Sequence, residues 1–149
     1  MSAETQAIGT QTFELWSRMW NGEVALVDQI MAPRFRLRYA QPTPGTDAFD
    51  HIRERPQLAE MITRFRQARH GLTFAPDGEP VTELHLTGGR ATGKVARPYL
   101  AHLTDETGRQ RHISGIDMLR LEDGLITEVW SVSGGKEGRP FHPGGPGPR

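Results

Sequence analysis

The sequence predicts an α+β domain, and three observations carry that prediction. Apolar residues recur at helical spacing up to Arg69, strand-like runs take over after Gly71, and Gly- and Asp-rich turns separate those runs. Helices first and a meander afterwards imply helices laid over one face of a curved antiparallel sheet. At 149 residues the chain suits one domain with its own core. We place that domain at residues 1–133 and read 134–149 as a flexible tail. The tail, GGKEGRPFHPGGPGPR, is too rich in Gly, Pro and charge to bury enough surface to order itself without a partner.

The first helix is expected from about Thr5 to Asn21, with Phe13, Trp16, Met19 and Trp20 on one stripe and Gly22 placed to stop it. Its tryptophans suit a core, and Trp16 also suits the wall of a pocket. Val24 to Met31 reads as a short second helix ended by Pro33. From Arg34 to Gln41, Phe35, Leu37 and Tyr39 alternate with three arginines, the pattern of a half-buried strand. Tyr39 faces inward and is either a pocket donor or a satisfied core tyrosine. Residues 42–50 read as a loop, and Pro56 opens a third helix whose stripe is Leu58, Met61, Ile62, Phe65 and Ala68.

Five strands follow, at about Leu72 to Pro76, Val81 to Thr87, Arg90 to Thr104, Arg109 to Leu121 and Leu125 to Ser133. Pro98, inside the longest, argues for an edge position or a bulge. Asp123-Gly124 between the last two reads as a tight hairpin turn.

One residue in that hairpin is out of place. Asp117 shares a face with Ile113, Leu119 and Leu121, where a carboxylate costs free energy unless it is paired, protonated or put to use. A two-residue turn followed by regular pairing sets Asp117 against Trp130, whose indole would cover the acid and raise its pKa by roughly 3 to 5 units. Gly115 would leave open space beside it for a ligand. The alternative is a structural acid tied to backbone or to an arginine. On the opposite face, His112, Ser114, Ile116, Met118 and Arg120 are too apolar at their centre for a solvated surface, and a second copy packed sheet to sheet would cover them.

Composition excludes several classes of function. With no cysteine, and six histidines in no compact ligand spacing, we expect no metal and no cofactor. The 18 basic and 18 acidic residues cancel and are spread along the chain, which disfavours nucleic acid. No apolar run reaches the roughly 20 residues of a membrane span, and MSAETQAIGT lacks the layout of a signal peptide, so no membrane and a cytoplasmic location are expected.

The helix-helix-strand-helix opening, then GLTF, GGRATGKV and GRQRHISGIDMLRLEDGLITEVW, resembles the SnoaL-like polyketide cyclases of the NTF2-like superfamily from about Thr10 to Ser133. The resemblance implies a cone-shaped fold, a deep apolar pocket between helices and sheet, and commonly a dimer through the sheet. It also implies that Asp117, in Gly-Ile-Asp, is the acid/base carboxyl, a position that in ketosteroid isomerases holds a neutral acid donating to an oxyanion. Gly108, Gly115, Gly124, Ile126 and Trp130 fall where the family pattern has them. The chain departs from that pattern where cyclases often carry Gly-Thr-His-Thr-Gly, since Arg97 stands in the position of the histidine. It also lacks the general-base Asp and helix-one Tyr of ketosteroid isomerases, and the Asp-Arg-Asp set of limonene-type epoxide hydrolases.

Two registers are open for Arg97. A five-residue connection at Asp105 to Arg109 sets it opposite Asp117, whereas a four-residue one puts Ala96 there and turns His102 and Leu100 into the pocket. Either way the chemistry that these residues suit is proton transfer beside a carbonyl, by Asp117 with Arg97 or Tyr99 steadying an enolate. The expected pocket comprises Trp16, Tyr39, Tyr99, His102 and Trp130. The expected function is a small-molecule cyclase or isomerase of secondary, polyketide-type metabolism, acting on a hydrophobic substrate. The other reading is a non-catalytic ligand-binding or assembly domain on the same scaffold.

Overall fold

A computed structural model describes residues 2–40 and 49–143. The loop read at 42–50 therefore lies, apart from its last two residues, outside the described residues, as does 144–149 of the tail. Helix α1 (Ala3–Trp20) starts at Ser2, whose side chain accepts from the Thr5 amide. Val24–Leu26 forms a single 3₁₀ turn, α2 (Val27–Ile30) is one further turn, and strand β1 runs from Met31 to Tyr39. Pro33 thus sits inside β1 instead of ending a helix. β1 is an edge strand with a register shift between Met31 and Arg36, so the missing amide costs no ladder bond there. Helix α3 (Arg55–Gln67) carries a capping box, with the Glu54 amide donating to Gln57 Oε1 at 3.0 Å and a proline in the first turn.

The strands after α3 are β2 (His70–Pro76), β3 (Val81–Thr87), β4 (Arg90–Thr104), β5 (Gln110–Glu122) and β6 (Leu125–Ser133). The open sheet has the order β1-β6-β5-β4-β2, and β3 shares the edge of β4 with β2. All pairs are antiparallel except β1 with β6, which are parallel because α3 and the later strands separate them in sequence. Pro98 lies in a central strand, but at the gap where the partner of β4 changes from β3 to β2. Only its carbonyl is used on that side, accepting from the Asp77 amide at 2.9 Å.

Packing of the helices over one sheet face buries Phe13, Trp16, Met19, Leu58, Ile62, Leu119 and Val129 in a single core. Helix α1 approaches β3 closely because Gly9 has no side chain; a Cβ there would lie 2.5 Å from Thr82 Oγ1. Part of the tail, up to residue 143, lies within the described residues. After a 3₁₀ turn at Gly135–Glu137 it returns along β5, where the Ser114 amide donates to the Arg139 carbonyl and the Phe141 amide to Ser114 Oγ. No helix among the described residues is long and apolar enough to cross a membrane.

Candidate active site

The hairpin β5–β6 turns at Asp123-Gly124, both with positive φ, as the sequence implies. One feature of it is not visible in the sequence. A bulge between Arg120 and Leu121, with Thr127 as the extra residue on β6, shifts the pairing by one, so Arg120 lies opposite Glu128, Met118 opposite Trp130 and Asp117 opposite Ser131. Because side chains alternate faces, that single residue moves Trp130 from the inner face to the outer one. There its ring lies between Lys94 and Arg120, 5.6 and 5.5 Å from the centroid. Trp130 therefore does not cover Asp117.

The cover comes from α1 instead. Trp16 Nε1 donates to Asp117 Oδ2 at 2.9 Å, across 101 residues of sequence, and both side chains are buried. Oδ1 closes no hydrogen bond among the described residues, although the Ser131 hydroxyl opposite is near enough to favour the ionised form. Burial dominates and pushes the carboxyl up to about 6, against the opposing influence of Ser131 and Trp16. The rise comes from burial, and the indole in contact with the acid is Trp16, whose hydrogen bond opposes that rise.

The β4–β5 connection is the five-residue one, and Arg97 stands opposite Asp117. The two side chains nevertheless do not pair. The Arg97 guanidinium runs under α1, donating from Nε to the Gly78 carbonyl at 2.7 Å and meeting Glu14 at 3.4 Å, and it takes no part in lining the cavity that holds Asp117. The same register turns His102 outward, where its ring packs on that of His112 at 4.7 Å, so His102 is not a pocket residue. Tyr99, on the inner face, is one.

Tyr99 also explains Gly115. A Cβ at residue 115 would lie 2.3 Å from the Tyr99 hydroxyl and 2.5 Å from its Cζ, so the space that the glycine leaves is filled by the phenol instead of standing open for a ligand. Two sheet rows result. Tyr39, Ser131, Asp117 and Arg97 make one, and Ser133, Gly115 and Tyr99 make the next. Burial and the Asp117 charge hold both phenols above their usual pKa, with the Ser133 and Ser131 hydroxyls opposing this at Tyr99. Tyr39 and Tyr99 are thus neutral hydrogen-bond donors around a carboxyl that burial pushes up to about 6.

These groups line one open cavity of about 1630 Å³ between the helices and the sheet, with Trp16, Trp20 and Phe74 among its apolar walls. Of the residues expected in the pocket, Trp16, Tyr39, Tyr99 and Asp117 come together; Arg97, His102 and Trp130 do not. Ser131 is the member that the sequence did not reveal, because only the bulge turns it inward. No group of three or more His, Asp or Glu side chains that could hold a metal ion occurs among the described residues.

A sequence profile of the SnoaL-like domain matches residues 11–129. The chain belongs to the SnoaL-like family. Solved structures agree at the level of the fold. A candidate polyketide cyclase from Acidithiobacillus ferrooxidans superposes with a TM-score of 0.64 at 19% identity, covering 89% of this chain and 91% of that one. IdmH, a candidate polyketide cyclase from Streptomyces antibioticus, gives 0.62 at 19% identity, over 84% and 91%. An NTF2-like protein of unknown function from Burkholderia pseudomallei gives 0.62 at 15% identity, over 88% and 90%. No curated protein matches the sequence. The cavity of this SnoaL-like domain thus lies in a shared NTF2-like cone, while its polar floor is described by its own residues.

Proposed function

We propose that this SnoaL-like domain is a cofactor-independent cyclase or isomerase of polyketide-type metabolism, acting on a hydrophobic carbonyl compound with Asp117 as general acid/base. The observation that carries the reading is a carboxyl near pKa 6, buried at the floor of a large cavity under Trp16 and beside two neutral phenols. A pKa near the working pH maximises the use of one group as both base and acid.

In this reading ionised Asp117 takes a proton from the carbon next to a carbonyl, and the electron pair moves onto the carbonyl oxygen. Tyr99 donates to that oxyanion, the part for which Arg97 is badly placed. The enolate carbon then attacks a second carbonyl of the same folded molecule, and Asp117 returns its proton to the alkoxide formed. Holding the two ends together supplies much of the acceleration.

The test is deuterium uptake from D₂O beside the carbonyl of 2-tetralone, a bicyclic ketone, followed by NMR. The native chain accelerates uptake, and Asp117→Asn loses at least about 100-fold of that acceleration while keeping the ketone bound. Equal rates in both proteins with binding intact would establish the second reading, a binding or assembly domain. Arg97 in place of the family histidine, committed to Glu14 and Gly78, is the observation that favours it.

A homodimer through the outer sheet face belongs to the same proposal. Ile116 and Val132 face each other across β5 and β6 there and are 40% and 50% exposed. Sedimentation of the native chain against Ile116→Asp tests it, the native chain being dimeric and the variant monomeric. A monomeric native chain refutes the dimer.

A further inference from the structure

The inner face of β5 changes character along its length. Asp117 marks one end, Gly115 (filled by Tyr99) and Ile113 follow, and Arg111 stands six residues away on the same face, about 20 Å along the strand. Ala101 and Leu103 continue the apolar stretch on β4, and Asp117, Ile113, Arg111, Ala101 and Leu103 line the same cavity. Arg69, from the segment between α3 and β2, lines the same outer end. Its guanidinium stacks on Phe65 at 3.5 Å and gives one hydrogen bond to the Phe65 carbonyl, and it meets no carboxylate among the described residues. Burial lowers its pKa from the usual arginine value, the mark of a cation that has lost water without gaining a counter-ion.

Arg111 is in a similar position. It donates to the Gly138 carbonyl and forms no ion pair among the described residues, although its charge helps keep Asp105 below the usual carboxylate range. The acids at the mouth are mostly engaged elsewhere: Glu60 with Arg64, Glu106 with Lys136, and Asp105 with the Thr107 and Arg109 amides and the Thr107 hydroxyl. Among the described residues Glu137 is the other acid at the mouth, and it is exposed.

We propose that the substrate is an amphipathic carboxylate, an apolar scaffold about 10–15 Å long, whose acid group is held at the cavity mouth by Arg69 and Arg111 while its carbonyl end meets Asp117. The length is the separation along the strand less the reach of the side chains. Guanidinium forks suit a carboxylate because two parallel N–H groups meet its two oxygens. The inference deepens the proposed function and rests on Asp117 marking the reacting end.

Pyrenebutyric acid and its methyl ester, probes with the same rigid apolar body, separate the charge from the fit. Energy transfer from Trp16 and Trp20, both in the cavity wall, reports their binding. The native chain binds the acid about 10-fold more tightly than the ester, and Arg69→Met with Arg111→Met removes the preference while leaving ester affinity within twofold. Equal affinity of the native chain for both probes, or a preference that survives the double variant, overturns the proposal. Arg69→Lys with Arg111→Lys guards against a merely loosened mouth. It keeps the positive charge and at least half of the preference, and its behaving like the methionine pair would also count against us. Carboxylate preference without deuterium uptake would leave an acid-binding module, whereas uptake without preference would leave a catalyst of neutral ketones, so the two proposals fail separately.

Discussion

Replacing Asp117 by asparagine removes a carboxyl that the folded chain holds at a cost in stability. The group titrates at about 6 in the fold against 3.8 for an ordinary aspartate. Between those values the folded chain binds a proton that the unfolded chain has released. Stability is therefore full below about pH 4 and is lost as pH rises through 6. The displacement amounts to about 3 kcal/mol at 1.36 kcal/mol per pKa unit, and Asp117 is only 8% exposed, so solvent screens little of it. Asparagine resembles the neutral acid in shape and still accepts from Trp16 Nε1. The unfolding free energy of Asp117→Asn minus that of the native chain should thus rise by about 3 kcal/mol from pH 3.5 to pH 7.5. For a chain of this size that is roughly 6–12 °C in melting temperature. Urea denaturation of both proteins across this range measures it, and taking the difference cancels every other titrating group. A difference flat to within about 1 kcal/mol, or one that falls with pH, would refute a carboxyl raised by burial.

Three further outcomes follow from the same geometry. Trp16→Phe deletes the bond to Oδ2, and since a hydrogen bond to a charged group is worth about 1.5–3 kcal/mol, the Asp117 carboxyl should titrate at least about one unit higher by NMR; an unchanged value would mean that the indole contributes nothing. Gly115→Ala drives a methyl into the Tyr99 ring and should cost about 1–3 kcal/mol in thermal unfolding, whereas a neutral result would show that the phenol moves freely. Trp130→Ala and His102→Ala, both on the outer face, should leave the Asp117 titration and the deuterium uptake within twofold. A tenfold fall in uptake in either variant would contradict the observed register.

The amino-acid sequence by itself determined every element whose signal is local. Periodicity set the long first helix and α3, Pro56 marked where α3 starts, and Asp123-Gly124 located the hairpin turn. Burial of Asp117 was also legible, because a lone carboxylate on the apolar stripe of β5 has nowhere else to point. Pro33 misled, since a proline that ends a helix and a proline tolerated at an edge strand look alike until the neighbours of the strand are known. Tertiary structure alone decided what surrounds the acid. One bulged residue between Asp117 and Trp130 exchanged an indole for the Ser131 hydroxyl, and Trp16 reached the carboxylate from a helix 101 residues away. Arg97 arrived opposite Asp117 as its register allowed, yet the direction of its side chain was set by Glu14 and the Gly78 carbonyl. Local pattern fixes which face a residue occupies only while the register is regular, and the partner across that face is chosen by packing between segments far apart in the chain.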